Sequence, residues 1–359
     1  SIYNTWYTLD FGSWNETFTG ENGTIDQALW NGLGINYGSV TIQFCVNDTL
    51  GNIGFDEVII TKDLIAPYIV VNLPENESYW NVRPTLNISA IDPNLQILYY
   101  GNSINSNNYT LINATNKLLD ASIWNNVGDN ESFMIYLYAR DVAGNLNDSI
   151  TLVLHKDVSA PQITIESWNA TADFGTGSIE VNCTWWDYSG LTTTDPIEVS
   201  FYYPNGTLIG THAMTEDGSR YTYTLVLDDT LIPLSDYYFT ITSTDNLTNS
   251  ETIGGKNFTI EDNVLPNIIM NEYYEIVSYG TGDFFANISA SDNYKLADVN
   301  PVMISVYQPD GSLLTTTPMT HVSGDIYTLT GSVSGLSPLD EYYFNISVWD
   351  HEGNVNTTI

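Results

Sequence analysis

The run Ala139 to Pro161, ARDVAGNLNDSITLVLHKDVSAP, sets the limits on what this chain can become. An alternating strand ends at Asp141, a Gly-Asn turn (Gly144, Asn145) reverses the chain, and a second strand covers Ser149 to Leu154. Between two alternating apolar runs such a turn is a hairpin signal. The second strand leads straight into an Asp-x-x-x-Pro connector, Asp157 to Pro161. Proline directly after a strand suits a linker, because it has no N–H for a following central ladder. The stretch recurs. An earlier copy holds Asp48, Gly51, Asn52, Asp63 and Pro67, a later one Asp245, Asn246, Asp262 and Pro266, and a last one Asp350, Gly353 and Asn354. Each copy closes one module and opens the next, which marks a tandem array.

Four modules follow from these boundaries: residues 1–64, 65–158, 159–263 and 264–359. The first two resemble each other, since Ile25-Asp26-Gln27-Ala28-Leu29-Trp30-Asn31 matches Leu119-Asp120-Ala121-Ser122-Ile123-Trp124-Asn125. The second begins with strands at Pro67–Leu73 and Pro84–Ile91 and turns at Asp92-Pro93-Asn94. The first has no counterpart of these two strands and is expected to be an incomplete domain. The last two modules form a second subtype at a constant offset of 105, which carries Pro161 to Pro266, Asp187 to Asp292 and Asp245 to Asp350. Tyr202 to Leu208, with Pro204-Asn205-Gly206, corresponds to the run that ends at Leu313 with Pro309-Asp310-Gly311, a hairpin turn in both. The fourth module stops at Ile359, about half a strand short of its closing position.

Asn, Thr, Ser, Tyr and Gly dominate, and β-branched and aromatic residues carry the apolar content. No helical period extends beyond a turn or two, so the chain is expected to be all-β. About seven short alternating strands per complete module, separated by turn signals, give a two-sheet sandwich. Leu231-Ile232-Pro233 with Tyr237, and Leu336-Ser337-Pro338 with Tyr342, resemble the tyrosine corner of immunoglobulin and fibronectin type III domains. With the A-x-D-x-x-G-N hairpin and D-x-x-x-P linker, the whole chain resembles the tandem immunoglobulin-like repeats of prokaryotic, most of all archaeal, surface proteins. That resemblance implies a tandem array of immunoglobulin-like β-sandwich domains, first domain incomplete, in an extracellular filament, stalk or surface layer. It implies a polymer or lattice of copies of the chain as partner, with an adhesin gripping a glycan or protein as the alternative.

The formal net charge of −35 comes from a shortage of bases, 8 Lys and Arg against 43 Asp and Glu. Nucleic acid is therefore a poor partner, since phosphate binding needs a basic surface. Such charge keeps a chain soluble and attracts cations. No signal peptide or transmembrane run is present, so membrane contact is expected only through an anchor outside this segment. Cys45 and Cys183 fall in different modules and cannot bridge within either. Strand parity places Cys183 inward with Ile88 and Ile288, and Cys45 outward.

Three sets of residues could carry chemistry. In such a sandwich the incoming linker, the turn after the second strand and the hairpin turn meet at one end. They supply Asp63, Asp92 and Asp141, then Asp157, Asp187 and Asp245, then Asp262, Asp292 and Asp350. Converging carboxylates are what Ca²⁺ requires, although none has EF-hand spacing. Equally, each Asp could cap its own turn through side-chain-to-backbone bonds. Second, Asn-x-Ser/Thr triplets begin at Asn15, Asn22, Asn47, Asn76, Asn87, Asn108, Asn113, Asn130, Asn147, Asn169, Asn182, Asn205, Asn246, Asn257, Asn287, Asn345 and Asn356. These 17 exceed the roughly seven that chance would give, which points to N-linked glycans on a secreted chain. Asn87, Asn182 and Asn287 share one outward register. Third, the paired aromatics Tyr99-Tyr100, Trp185-Trp186, Tyr202-Tyr203, Tyr273-Tyr274 and Tyr342-Tyr343 fit core and cross-strand packing better than a binding face. His155, His212, His321 and His351 are scattered, with no nucleophile elbow or phosphate loop nearby, so no enzyme is expected.

Overall fold

The structure is a computed structural model that describes residues 1–11, 14–228, 230–278, 280, 282–332, 336–338 and 341–358, without the side chains of 234 and 235. Ile359, where the last expected module stops, lies outside the described residues. The chain divides into two compact units, Ser1–Ser159 and Ala160–Ile359.

In the second unit, the sequence alternation becomes two facing sheets twice over. The first sandwich pairs Gln162–Trp168, Ser178–Trp186, Arg220–Val226 and Thr215–Asp217 in one sheet. Its other sheet runs Thr171–Asp173, Ser250–Glu261, Leu234–Thr244, Ile197–Tyr202, Leu208–Ala213. All neighbours are antiparallel except Thr171–Asp173, which lies parallel to the closing strand. This strand order is that of the immunoglobulin and fibronectin type III sandwich. The period of two sends Ile179, Val181 and Cys183 inward from one sheet and Val199, Phe201, Phe239, Ile241 and Phe258 from the other, all buried. The second sandwich repeats the plan, with Asn267–Tyr273, Asp283–Ser291, Ile326–Ser332 and Thr320–Ser323 facing Leu313–Pro318, Val302–Tyr307, Tyr343–Trp349 and Val355–Thr358.

The first unit holds one full sandwich and one single sheet. Tyr68–Leu73, Thr85–Ile91 and Lys117–Leu118 face a five-stranded sheet built around Glu131–Asp141 and Leu146–Lys156. Before it, Glu16–Thr17, Ile2–Leu9, Tyr37–Asp48 and Ile53–Asp63 form one four-stranded sheet, covered by the helix α1 (Gln27–Gly32). A second short helix, α2 (Ala121–Trp124), occupies the matching place in the full sandwich. Asp26 and Asp120 cap the two helices by accepting from Ala28 N and Ser122 N, both at 2.9 Å.

What the pattern did not announce is how these helices end. Lys62 is only 1% exposed. Its ammonium donates to Trp30 O at 2.6 Å and lies 5.4 Å from the Trp30 ring centroid. Lys156 donates to Trp124 O and Val127 O at 3.1 and 2.9 Å and lies 4.9 Å from the Trp124 ring. The last carbonyls of a helix have no intrahelical donor, and a cation there satisfies both the hydrogen bond and the dipole.

The tyrosine corners form as expected. Tyr237 is fully buried and donates to Ile232 O at 3.1 Å, while burial pushes its hydroxyl pKa up to about 12. Tyr342 accepts from Ser337 N at 3.0 Å. Both thiols are free. Cys183 is buried, and desolvation pushes its pKa up to about 11. Cys45 keeps its outward parity but is covered between its cross-strand partners Trp6 and Phe55, at 7% exposure. Parity alone does not predict burial when both flanking strands carry aromatic rings.

Replacing Lys156 with Met should keep the stem's packing but strand two carbonyl acceptors. Chemical denaturation of the full chain should then show a loss of about 2 kcal/mol in the transition that contains α2. Lys62→Met, which strands one acceptor, should cost less.

Candidate metal centres at the module ends

The hairpin that closes each module is locked by its own side chains. Asp141 accepts from Asn145 N at 2.8 Å and from Asn145 Nδ2 at 2.7 Å. Asp350 does the same with Asn354, at 2.7 Å for both bonds, and Asp48 with Asn52, at 2.9 and 2.8 Å. The residue before each Asn has positive φ, +96° at Gly144 and Gly353 and +84° at Gly51, which glycine adopts without a Cβ clash. In the third module the bonding partner is Asn249 rather than Asn246, with Asp245 accepting from its N at 2.8 Å and its Nδ2 at 2.7 Å. Asn246 instead donates to Ser189 O at 3.0 Å. Thr248, at φ +69°, stands where the other copies have glycine, so this hairpin lacks the Gly-Asn signal.

The lock also grips the incoming linker. Asn145 Nδ2 donates to Asp63 O at 3.1 Å, and Asn147 Nδ2 to Pro67 O at 2.9 Å. In the second unit Asn354 Nδ2 donates to Asp262 O at 2.7 Å and Asn356 Nδ2 to Pro266 O at 2.9 Å. Two sandwich subtypes with different strand lengths thus hold their linkers through the same two asparagine positions, Asn145 and Asn147 in one and Asn354 and Asn356 in the other.

The linker Asp of each unit is brought against two others. One carboxylate oxygen from each of Asp63, Asp92 and Asp141 lies within 4.8 Å of the other two, and the same holds for Asp262, Asp292 and Asp350. Each carboxylate also serves its own turn: Asp63 accepts from Ile65 N at 3.0 Å, Asp92 from Asn94 N at 2.7 Å and Asp262 from Val264 N at 3.2 Å. Asp292 Oδ2 accepts from Tyr294 N and Lys295 N at 2.9 and 3.1 Å. Turn capping therefore accounts for one oxygen of each. It leaves Asp63 Oδ2, Asp262 Oδ2 and Asp292 Oδ1 buried without a hydrogen-bond partner.

None of the ion pairs among the described residues reaches these six carboxylates. Two like charges at that spacing repel by about 3 kcal/mol at an effective dielectric near 20. Burial, followed by the negative charge of Asp262, raises the Asp292 pKa above the usual carboxylate range. By contrast Asp48, which lies in none of the carboxylate groups found among the described residues, has its pKa lowered by the bonds from Asn52.

Asp157 belongs to the first unit, where it is buried and its N–H donates to Trp80 O at 3.0 Å. Asp187 and Asp245 belong to the second, where Asp187 accepts from Ser189 N at 3.0 Å and Asp245 is buried in its hairpin lock.

The sequons divide by exposure. Asn15, Asn22, Asn76, Asn108, Asn113, Asn169, Asn205, Asn246 and Asn257 are exposed, and Asn47, Asn87, Asn130, Asn147, Asn182, Asn287, Asn345 and Asn356 are half-buried. The amide nitrogens of Asn113, Asn147 and Asn356 already hold backbone carbonyls. The shared register of Asn87 and Asn287 has a structural counterpart: each accepts from an Asn on the adjacent strand, Asn72 at 3.0 Å and Asn271 at 3.1 Å. Those same amides also reach Ser89 and Ser289, the third residues of the two sequons.

Three of the paired aromatics, Tyr99, Tyr202 and Tyr343, each take part in a cross-strand stack repeated in every full sandwich. Tyr99–Tyr138, Tyr202–Tyr238 and Tyr307–Tyr343 have ring centroids 4.8, 4.9 and 5.0 Å apart and interplanar angles of 11°, 9° and 7°. A cavity of about 450 Å³ in the last module lies among Tyr273, Phe284, Leu329 and Phe344. Each histidine has a local partner: Glu77 for His155, the Tyr223 ring for His212, Gly324 O for His321 and Asp298 for His351.

No family model matches the sequence, and no curated protein matches it. Among solved structures, the tetra-tandem repeat in the extending region of a large adhesion protein is 17% identical over 99% of this chain and 89% of its own, with a TM-score of 0.35. Sidekick-1 immunoglobulin domains 1–4 are 12% identical over 99% and 88%, with a TM-score of 0.28. The fibronectin(III)-like modules of Clostridium thermocellum CbhA are 15% identical over 55% and 90%, with a TM-score of 0.22. At these scores the likenesses carry no weight for function.

A β-branched residue in the left-handed region is strained by about 1–2 kcal/mol relative to glycine, against which glycine's greater chain entropy is set. Thr248→Gly should therefore stabilise the third module by roughly 0.5–1 kcal/mol, seen as a higher denaturation midpoint with an unchanged m-value.

Proposed function

We propose that this chain is a structural segment of an extracellular, N-glycosylated surface assembly, a filament, stalk or surface layer, whose partners are copies of itself in a polymer or lattice. The observation that carries the proposal is the linker clamp. In both units the hairpin asparagines bond the incoming linker's carbonyls, so the linker is held as part of the sandwich it enters rather than as a free tether. A chain built to transmit force or hold distance needs that restraint at every joint, whereas a catalyst does not. The acidic, base-poor surface suits an exposed solvated location.

An adhesin would bear its binding surface on one module and not on that module's repeat partner. The stacked tyrosines, the most conspicuous aromatic feature outside the cores, recur in all three full sandwiches. That uniformity favours a structural array.

Asn145→Ala and Asn354→Ala together should each remove about 1 kcal/mol of linker restraint while leaving the sandwiches folded. Spin-label distances between neighbouring modules within a unit should broaden, with circular dichroism unchanged. Distance distributions identical to those of the parent chain would overturn the spacer reading.

A further inference from the structure

We propose that the triads Asp63/Asp92/Asp141 and Asp262/Asp292/Asp350 each bind one hard divalent cation, Ca²⁺, which fastens the linker to the sandwich that follows it. An acidic cluster alone would not carry this, since every member caps a turn. The unassigned oxygens do. Asp262 is 3% exposed and Asp63 9%, and in each one oxygen is occupied by a backbone N–H while Oδ2 is buried with no hydrogen-bond partner. Asp292 Oδ1 is in the same condition. One carboxylate oxygen of each residue also lies within 4.8 Å of one from each of its two neighbours. A buried carboxylate oxygen without a donor is costly, and one near other carboxylates doubly so, unless a cation lies between them.

The recurrence is the second support. The linker, the turn after the second strand and the hairpin bring the same three residues together in two subtypes that differ in length and core sequence. The lock at Asp48 shows that hairpin capping needs no such company: it forms with Asn52, and Asp48 belongs to none of the carboxylate groups found among the described residues. Turn chemistry therefore explains the Asp–Asn lock, and it leaves the convergence unexplained.

The donor set selects the ion. Three carboxylates and no histidine or thiolate disfavour zinc and the softer transition metals. The oxygens are fixed by three separate turns, so they do not adjust to the strict octahedron that Mg²⁺ demands. Ca²⁺ accepts irregular oxygen shells of six to eight ligands, completed here by water. The ion would bridge the linker, through Asp63 or Asp262, to two turns of the next sandwich. In the second unit the middle turn continues into Tyr294, whose ring packs 5.2 Å from that of Phe174 in the preceding module. The ion would thus sit behind an aromatic contact between the two sandwiches.

The test uses the full chain after treatment with a chelator. Calorimetric titration with Ca²⁺ should show at least two ions per chain, and titration with Mg²⁺ at the same concentrations much weaker heat. The melting temperature should rise with the logarithm of added Ca²⁺. Asp262→Asn keeps the side chain's shape and one acceptor for Val264 N but removes a ligand charge. It should lose one ion from the stoichiometry and the calcium-dependent part of melting in the second unit. In chelator it should melt no lower than the parent, because it relieves repulsion. Absence of binding heat at millimolar Ca²⁺ would overturn the proposal. So would an Asp262→Asn penalty of equal size in calcium and in chelator, which is the signature of a turn cap alone. The proposal deepens the spacer reading but fails separately from it: a bound ion in a chain whose linkers remain mobile keeps the site and overturns the spacer.

Discussion

The interaction that joins one module to the next is the bond between a hairpin aspartate and the asparagine four residues later. It satisfies the turn's backbone, fixes the positive-φ residue between them, and leaves the asparagine's amide free to reach the linker carbonyl. One side chain therefore terminates a strand pair and begins the next domain. Its neighbour two residues on, Asn147 or Asn356, repeats the grip at the linker proline. Since proline cannot donate to a ladder, its carbonyl is the group by which a linker of this kind can be held.

Charge gives the second theme. A chain with 43 acids and 8 bases places several acids where water cannot screen them. Buried aspartates are tolerated when backbone N–H groups or cations compensate them. Asp141 and Asp350 are compensated by their locks, but one oxygen of Asp63, Asp262 and Asp292 is not. The scarce bases are spent inside: Lys62 and Lys156 close helix ends beneath tryptophan rings, one residue before the linker aspartate. The junction thus sets a cation on one side of the strand end and an anion on the other, as the alternation of a β-strand requires.

The strand period, the hairpin turns and the repeat offset could be read directly, and with them the all-β sandwich, the inward Cys183 and the tyrosine corners at Tyr237 and Tyr342. These are local or periodic features, written in residue type at fixed spacing. The convergence of Asp63, Asp92 and Asp141 was foreseeable from topology, because three connections of a sandwich share an end. The role of Asn249 was not, because Thr248 replaces the glycine that marks the turn. Nor was the burial of Cys45, which depends on Trp6 and Phe55 of the flanking strands, nor the partners of Lys62 and Lys156, which lie some thirty residues away.

The sequence by itself determined the all-β class and the approach of Asp63 to Asp92 and Asp141 and of Asp262 to Asp292 and Asp350, since strand alternation and turn chemistry act over a few residues. Tertiary structure decided which oxygens of those carboxylates are satisfied. That depends on how three turns, up to about 90 residues apart, present their N–H groups to one point. No spacing encodes it, because a carboxylate has two oxygens and the chain names only the residue.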